Sequence, residues 1–275
     1  MSQLEAVGVV PPPVQCVPRQ ACRNGSALLG ERSLAEEVAV AFSYDGVAHA
    51  VLMATPDDLE DFALGFSHTE GIITAPDEIA ELAVVGVADG IVLRMRLIAD
   101  RSDALAARRR RFVGPAGCGM CGLESLAEAN RTIPLASRDF RVSWQDIAEA
   151  VAALPAGQQL NRQTQAVHAA AFWRRDRSLV LREDVGRHNA LDKLAGALLR
   201  ADCSAAEGII VLSSRISIEL VQKAGVMGAT IIVGVSAPTA LAVRAAEAIG
   251  LTLVGIARGD GFEVFTHSER AAQYG

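Results

Sequence analysis

The stretch that decides the fold runs from residue 208 to residue 258 and reads GIIVLSSRISIELVQKAGVMGATIIVGVSAPTALAVRAAEAIGLTLVGIAR. Three short apolar runs, GIIVLS, TIIVGVS and LTLVGIA, alternate with two segments of helical spacing. Such an alternation requires right-handed crossovers between parallel strands. The runs are rich in Ile and Val, as strands buried on both faces are. The stretch therefore predicts the centre of a sheet that helices cover on both faces.

The elements on the N-terminal side of this stretch extend the same sheet. A helix is predicted at about 143–153, followed by the hairpin QAVHAAAFW, RRDR, SLVLRE and the helix NALDKLAGALL. A hairpin that leads into a strand and helix alternation predicts an α/β domain at 125–275, with a mixed, mostly parallel sheet. This order of elements resembles the cytidine deaminase-like fold.

The N-terminal part predicts a smaller α+β domain at 26–105. Two apolar runs flank Asp45-Gly46 in EEVAVAFSYDGVAHAVLMAT, and this dipeptide is a strong hairpin signal. A helical segment and the alternating segment GIVLRMRLIA follow. Residues 1–25 contain Pro11-Pro12-Pro13 and no apolar periodicity, which predicts a flexible tail. Residues 106–124 interrupt the periodicity again and predict a mobile loop between the two domains.

The composition excludes several classes of function. The chain has 275 residues, 51% of them hydrophobic, which is ample for two domains with cores. A net charge of −6 and 4% aromatic residues are atypical of nucleic-acid binders. No apolar stretch approaches the roughly 20 residues of a membrane span, and MSQLEAVGVVPPPVQC lacks the regions of an export signal. We therefore expect a cytoplasmic protein without nucleic-acid or membrane partners, whose five cysteines are reduced.

Polar residues follow the predicted strands at one edge of the sheet. Ligands of open α/β sheets bind beyond the carboxyl ends of the parallel strands, and four loops are predicted there: 183–188, 213–215, 236–238 and 257–261. The first three open helices, whose N–H groups attract anions, and three of the four carry arginines suited to phosphate. The pattern predicts a phosphate-bearing ligand such as a nucleotide. Alternatively, the serines only cap helices and the arginines pair with neighbouring acids.

The zinc signature of the deaminases is missing at the corresponding positions of the sequence. Where the first metal ligand and the catalytic glutamate would stand, the helix begins with His188-Asn189-Ala190, which has no acid. Where a Cys-x-x-Cys pair would open the next helix, the chain has Ser213-Ser214-Arg215-Ile216. We therefore expect that the protein holds no metal ion directly.

The stretch GPAGCGMCGLESL at 114–126 carries Cys118 and Cys121, just after the run Arg108 to Arg111. A structural zinc site needs four ligands, and no second cysteine or histidine pair has suitable spacing. A dithiol oxidoreductase would normally place such a pair directly after a strand. A sulfur carrier needs an exposed thiolate on a movable loop, and a helix N-terminus and nearby arginines both lower the pKa of a thiol. These three interpretations remain open on the residues alone.

Other polar residues near the predicted carboxyl edge are weaker candidates. His188 is either a polar contact in the pocket or a hydrogen-bonded structural histidine. His168 lies in an apolar strand and is expected to be a core residue. Glu183 and Asp184 are adjacent on a strand and point to opposite faces, so we expect them to orient Arg187 or to cap a helix.

Six motifs, taken together, resemble one family. They are GCGMCGLESL, VHAAAF, REDVGRHNALDKL, SSRISIELVQKA, VSAPTALAV and LTLVGIARGDGFEVFTH, in this order. From about residue 35 to its end, the chain is similar to the FdhD/NarQ family of formate dehydrogenase accessory sulfurtransferases. Family members often have Gly-Gly where this chain has Gln165-Ala166.

The resemblance implies a sulfur relay. A cysteine desulfurase would pass sulfur to Cys118 as a persulfide, with Cys121 as the partner thiol. The protein would then sulfurate the molybdenum of a bis(molybdopterin guanine dinucleotide) cofactor, a bound substrate destined for formate dehydrogenase, whose guanine nucleotide would occupy the anion pocket. The positions that match the family's cofactor-binding segment are Ile256, Ala257, Arg258, Gly259, Asp260 and Gly261. The resemblance also implies a homodimer.

Two other functions remain as alternatives. One is a chaperone that holds the cofactor without transferring sulfur, and the other is a dithiol oxidoreductase. A carrier would lose activity but keep nucleotide affinity when Cys118 is replaced, whereas a holding chaperone would lose neither. An oxidoreductase would require both cysteines and would reduce a simple disulfide unaided.

Overall fold

The computed structural model describes residues 8–111, 140–259 and 261–272. In the N-terminal part the elements are β1 (Val14–Arg23), β2 (Ser26–Ala35), β3 (Val38–Tyr44), β4 (Val47–Ala54), α1 (Leu59–Thr69), β5 (Ile79–Val87), β6 (Gly90–Leu97) and α2 (Ala99–Arg111). In the C-terminal part they are β7 (Val142–Ser143), α3 (Trp144–Gly157), α4 (Gln159–Thr164), β8 (His168–Trp173), β9 (Leu179–Asp184), α5 (Arg187–Arg200), β10 (Ile209–Leu212), α6 (Ile218–Val226), β11 (Ile231–Gly234), α7 (Ala240–Ile249), β12 (Thr252–Arg258), β13 (Gly261–Val264) and β14 (Ala271–Ala272). None of the described helices is long and apolar enough to cross a membrane.

The main sheet of the N-terminal part has the strand order β4-β3-β6-β5. Asp45 and Gly46 have φ angles of 54° and 79°, the left-handed pair of a two-residue hairpin, so the predicted turn between β3 and β4 is confirmed. One face of the sheet packs against α1 around Phe42, Phe62 and Leu93, which are fully buried. This part of the chain therefore has an α+β core of its own.

The prediction of a flexible tail at 1–25 is wrong for its second half. β1 pairs with β2 in an antiparallel ribbon, whose turn residues Asn24 and Gly25 have φ angles of 51° and 77°. The side chains of this ribbon are largely exposed on both faces, so no buried face imposes an apolar alternation on the sequence. The Asn24-Gly25 dipeptide, a strong hairpin signal, is the feature of the sequence that could have indicated this ribbon.

The prediction of a loop that begins at residue 106 also needs correction. Helix α2 continues to Arg111, so the backbone of the run Arg108 to Arg111 is helical. Ala and Arg have high intrinsic helix propensities, and the sequence ALAARRRR therefore forms a helix without needing an apolar stripe. Residues 112–124 of the predicted loop lie outside the described residues.

The main sheet of the C-terminal part has the strand order β13-β12-β11-β10-β8-β9. β10, β11 and β12 are parallel, as the alternation at 208–258 predicts. The pairings of β10 with β8, β8 with β9 and β12 with β13 are antiparallel. The sheet is therefore mixed but not mostly parallel. The reason is that the β8–β9 hairpin adds two strands on one side, and β13, which was not predicted, adds another on the opposite side.

Helices cover both faces of this sheet, as predicted. Helices α5, α6 and α7 pack on one face through residues such as Leu191, Leu220 and Ala246. Helix α3 packs on the opposite face through Ile147 and Ala150. The architecture is thus mixed α/β, and the narrower resemblance to the cytidine deaminase-like fold stays a prediction.

The two parts of the chain meet where α1 crosses α5. A Cβ atom at Gly65 would lie 1.7 Å from the main-chain oxygen of Asp192, and one at Gly196 would lie 1.9 Å from that of Asp61. Only glycine permits such a close approach at these two positions. Helix α5 is thereby fixed between the sheet and the N-terminal part, with its first residue just beyond the carboxyl end of β9.

Candidate functional site

The carboxyl ends of β9, β10, β11 and β12 lie at one edge of the sheet, together with the beginning of β8. We call this edge the carboxyl edge. Between it and α3 lies a cavity of about 380 Å³, within the range of small-molecule sites. The cavity is lined by Val151, Leu154, Pro155, Gln158, Asn161, Val167, His168, Ser213, Val235, Ala257 and Arg258. The topology argument from sequence thus found two of these lining residues, Ser213 and Arg258, and the structure adds His168.

Ser213 closes the hydrogen-bond ladder between β8 and β10. Its main-chain N–H donates to the oxygen of Ala169 at 3.0 Å, and its hydroxyl oxygen accepts from the N–H of Ala169 at 2.8 Å. Neither bond uses the hydroxyl proton. Ser213 is therefore held rigidly and can still donate one hydrogen bond to a ligand in the cavity.

The segment predicted to bind the cofactor begins at an irregularity in β12, where its pairing with β13 shifts between Gly255 and Arg258. Ile256 has a φ angle of 53°, which is rare for a β-branched residue, and 37% of its surface is exposed. The Nε atom of Arg258 donates to the main-chain oxygen of Val235 at 3.1 Å. This bond ties the guanidinium to the end of β11 and leaves its terminal nitrogens for an anion.

The other residues of this segment differ in their exposure. Ala257 is buried and packs in the core under α3, although it also borders the cavity. Gly259 and Gly261 have open space where a side chain would lie, so a larger residue would fit at either position. Asp260 lies outside the described residues.

Two histidines lie near Arg187 at the carboxyl edge. Burial, and then the positive charge of Arg187, lower the pKa of His168. Burial, and then the charges of Arg187 and Lys223, lower the pKa of His188 to about 4. The Nε2 atom of His188 lies 3.5 Å from the Oγ atom of Ser217. Both imidazoles are therefore neutral at pH 7, and each presents one N–H donor.

The expectation that His168 is a core residue is wrong. Its side chain is only half-buried, because β8 begins at this residue and the cavity opens beside it. His188 is a polar residue of the carboxyl edge with a hydroxyl neighbour, which leaves both of its predicted roles possible.

Glu183 and Asp184 point to opposite sides of β9, as their adjacency predicts. The carboxylate of Glu183 accepts hydrogen bonds from the N–H groups of Leu160 and Asn161 at 2.7 and 2.8 Å, and so it caps α4. Asp184 is fully buried and pairs with Lys193, with 2.7 Å between Oδ2 and Nζ. Both carboxylates therefore hold the fold together.

Cys118 and Cys121, the predicted sulfur-handling pair, lie outside the described residues. Among the described cysteines, Cys16 lies 3.4 Å from the carboxylate of Glu31, and this hydrogen bond raises the pKa of its thiol. Cys203 is half-buried against the core of the C-terminal part. The carboxylate of Glu31 therefore disfavours the thiolate form of Cys16.

Three of the side chains that line the cavity carry hydrogen-bond donors. Within residues 8–111, 140–259 and 261–272, no group of three or more His, Cys, Asp or Glu side chains is arranged to hold a metal ion. Arg258, Ser213 and the neutral His168 can all donate to an oxygen atom. This donor set suits an anionic ligand.

Gln158 and Asn161 line the cavity but were not predicted as site residues. Gln158 immediately precedes α4, and Asn161 lies in the first turn of that helix. The segment QLNRQT is short and has no apolar stripe, so it gives no helix signal in the sequence. These two amides reach the cavity only because α4 follows α3 after a single residue.

Comparison with known proteins links the chain to one group. The sequence profile described as the FdhD/NarQ family matches residues 35–272. The chain is 51% identical over 256 residues to the sulfur carrier protein FdhD of Agrobacterium fabrum, which covers 92% of this chain and 94% of that relative. It is 48% identical over 241 residues to the protein of the same name from Brucella abortus, with 87% and 90% covered. Among solved structures, it is similar to that of a protein assigned as a formate dehydrogenase accessory protein from Desulfotalea psychrophila, with a TM-score of 0.73, 25% identity, and 94% and 100% of the two chains covered.

Proposed function

This chain belongs to the FdhD/NarQ family, and on that premise we propose that it is a sulfur carrier that serves formate dehydrogenase. In this proposal a cysteine desulfurase transfers sulfur to Cys118 as a persulfide, and Cys121 is the partner thiol. The sulfur is then delivered to the molybdenum of a bis(molybdopterin guanine dinucleotide) cofactor, which is a bound substrate. The single observation that carries the proposal is the family match over residues 35–272, because that range includes both the cysteine pair and the segment at the cavity.

The cavity supports the nucleotide part of this proposal. Arg258 presents a planar set of donors that matches a phosphate, and its bond to Val235 orients that set in advance. Ser213, which also lines the cavity, adds a hydroxyl donor. We propose that the segment 256–261 contacts the guanine nucleotide of the cofactor.

The cysteines support the carrier part of the proposal. Helix α2 ends with four arginines, and Cys118 follows seven residues after Arg111 in the sequence. Cationic side chains favour a thiolate, which is the form that accepts sulfur. The hydrogen bond to Glu31 makes Cys16 a poorer candidate, because a raised thiol pKa leaves less thiolate at pH 7.

Mass spectrometry after incubation with a cysteine desulfurase and cysteine tests the carrier role. We expect one additional, reducible sulfur atom on the peptide that contains Cys118. Cys118→Ser should abolish the addition, and Cys203→Ser, which removes a thiol elsewhere, should leave it unchanged. If the wild-type protein gains no sulfur but still binds GDP, the carrier proposal fails and a cofactor-holding chaperone becomes the better account.

The same variants separate the carrier from a dithiol oxidoreductase. A carrier with Cys118→Ala should keep its GDP affinity while losing sulfur transfer. An oxidoreductase would lose activity with either Cys118→Ala or Cys121→Ala, and would reduce a simple disulfide without a desulfurase. A homodimeric state belongs to the same proposal, and analytical ultracentrifugation measures it directly.

A further inference from the structure

Gln158 is a nearly buried polar residue at the cavity of the carboxyl edge. Only 8% of its surface is exposed, and it is one of the lining residues. Its main-chain N–H donates to Leu154, and its main-chain oxygen accepts from Arg162, both at 3.2 Å. The carboxamide of its side chain takes part in no hydrogen bond within the described part of the chain. Buried amides are nearly always hydrogen-bonded, so the position indicates a partner that enters the cavity.

The backbone on both sides of Gln158 is fixed by β9. Gln158 is the single residue between α3, which ends at Gly157, and α4, which begins at Gln159. A Cβ atom at Gly157 would lie 2.7 Å from the side chain of Leu181, so the end of α3 packs closely against the strand. The carboxylate of Glu183 caps α4 from the same strand. The carboxamide is therefore presented from a rigid junction, which lowers the entropic cost of binding a ligand.

Asn161 provides a second carboxamide at the same cavity. Its Oδ1 atom accepts a hydrogen bond from the N–H of Val167 at 3.5 Å. This bond uses the oxygen, so the Nδ2 group is the part of Asn161 that can donate to a ligand. The carboxamide of Gln158 can both donate and accept. We call Gln158 and Asn161 the amide pair, and together they match a ligand edge that has an acceptor beside a donor.

The amide pair and Arg258 are well separated along the carboxyl edge. Arg258 ends β12, and Val167, which bonds to Asn161, directly precedes β8. These two strands are three strand-to-strand steps of roughly 4.8 Å apart, or about 14 Å. Other lining residues, such as Leu154 and Val235, give the cavity apolar walls. The cavity therefore suits an elongated ligand with an anionic group at one end and a flat ring with a polar edge at the other.

We propose that the amide pair recognises the lactam edge of a heterocyclic base, which is a ring N–H beside a ring carbonyl, and thereby selects guanine over adenine. The carbonyl accepts from Nδ2 of Asn161, and the ring N–H donates to the oxygen of Gln158. Adenine has an amino group where guanine has this carbonyl, so it would place donors against the donors of Asn161. The inference rests on the proposed function for the nucleotide class of the ligand, and it adds which residues select the base.

Titration calorimetry with GDP, IDP and ADP tests this selection. The three ligands share the ribose and the diphosphate, but only GDP and IDP have the lactam edge. We expect the Kd for ADP to exceed the Kd for GDP by about 10- to 100-fold, because ADP leaves a buried amide unpaired. The Kd for IDP should lie closer to that for GDP than to that for ADP.

Gln158→Met assigns the selection to the carboxamide. Methionine is similar in volume but has no amide, so the ratio of the Kd for ADP to the Kd for GDP should fall about tenfold. The unfolding midpoint should not fall, since the carboxamide makes no bond in the described chain, whereas a purely structural residue would lower it. Gln163→Met is the matched control, because the amide of Gln163 donates to the main-chain oxygen of Gln159 at 3.4 Å on the exposed side of α4. It should leave the ratio unchanged. If Gln158→Met does not fold, Gln158→Ala replaces it with the same expected fall.

Arg258→Gln keeps this test separate from the proposed function. It should weaken GDP and ADP by the same factor, because both carry the phosphates, and so preserve the ratio. Equal affinities of the wild-type protein for GDP and ADP, or a ratio that survives the substitution of Gln158, would overturn the inference. A protein that prefers GDP through Gln158 but gains no sulfur would refute the carrier role alone. A protein that gains sulfur but binds none of the three nucleotides would refute the nucleotide pocket, and the inference with it.

Discussion

The charged side chains in the middle of helix α5 have hydrogen-bond and ion-pair partners, whereas the charged side chain at its beginning has an unpaired nitrogen. In the middle, Lys193 is fully buried and pairs with Asp184, and Asp192 pairs with Lys223 at 2.9 Å. At the beginning of the helix, about one and a half turns before Asp192, the Nε atom of Arg187 is buried and has no hydrogen-bond partner. In α5, the charged groups that support the fold are thus saturated with bonds, whereas Arg187 at the carboxyl edge keeps an unused donor. This difference separates structural residues from candidate ligand contacts.

The ion pairs Asp184–Lys193 and Asp192–Lys223, with their hydrogen-bond partners, form what we call the saturated network. This network joins the two parts of the chain. The Nζ atom of Lys193 donates to the main-chain oxygen of Thr55 at 2.9 Å, and the N–H of Thr55 donates to Asp184 at 3.0 Å. The hydroxyl of Thr69 donates to Asp192 at 2.6 Å. Together with the glycine contacts between α1 and α5, these bonds fix the N-terminal part against the sheet.

The largest expected loss of stability comes from removing one charged partner from the saturated network. Lys193→Met keeps most of the side-chain volume but leaves the buried carboxylate of Asp184 without its cation. Breaking a buried pair from one side typically lowers the free energy of unfolding by about 3–5 kcal/mol. Urea unfolding followed by circular dichroism measures the loss.

An exposed ion pair provides the matched control for Lys193→Met. Glu149 lies 3.3 Å from Arg177 on the surface, and Glu149→Gln should change the free energy of unfolding by no more than about 1 kcal/mol. Equal losses in the two variants would contradict the distinction between saturated and surface charges. An unfolding transition of Lys193→Met that matches the wild type would contradict it as well.

A smaller loss of stability is expected from the protonation of His188 in acid. Its folded pKa of about 4 lies below the ordinary value of 6.5, so the unfolded chain takes up the proton first as the pH falls. The stability that neutral His188 contributes is complete above pH 6.5 and is lost between pH 6.5 and about 4. His188→Asn cannot be protonated, so its stability should fall less over this interval, by about 1 kcal/mol after allowance for solvent screening.

Thermal unfolding between pH 4 and 8 measures this difference. From pH 6.5 to 8 the curves of His188→Asn and the wild-type protein should run parallel, which serves as an internal control. Parallel curves at every pH would show that the environment of His188 does not disfavour its charged form.

The C-terminal sheet could be predicted because its signals are local. GIIVLS, TIIVGVS and LTLVGIA are apolar enough to be recognised as buried strands, and the connection rule then places their carboxyl ends at one edge. That reasoning found Ser213 and Arg258 beside the cavity without any distance information. The same reasoning did not detect the ribbon of β1 and β2, because neither face of the ribbon is buried and its strands therefore carry no apolar pattern.

The saturated network could not be predicted, because its partners are distant in sequence. Thr55 and Lys193 are 138 residues apart, and Thr69 and Lys223 are 154 apart. Nothing near either residue of a pair indicates the other. Similarly, Gln165 adopts a left-handed φ of 57°, which a glycine would be expected to occupy, so its conformation is imposed by the surrounding structure.

GDP binding to the wild-type protein and to Arg258→Gln, measured by titration calorimetry, tests the central claim most directly. If the unused donors of the carboxyl edge bind ligand and do not support the fold, Arg258→Gln should raise the Kd for GDP by about 10- to 100-fold. Its unfolding midpoint should stay that of the wild type, because the side chain is exposed. An unchanged Kd, or a loss of affinity explained by a loss of stability, would contradict the account.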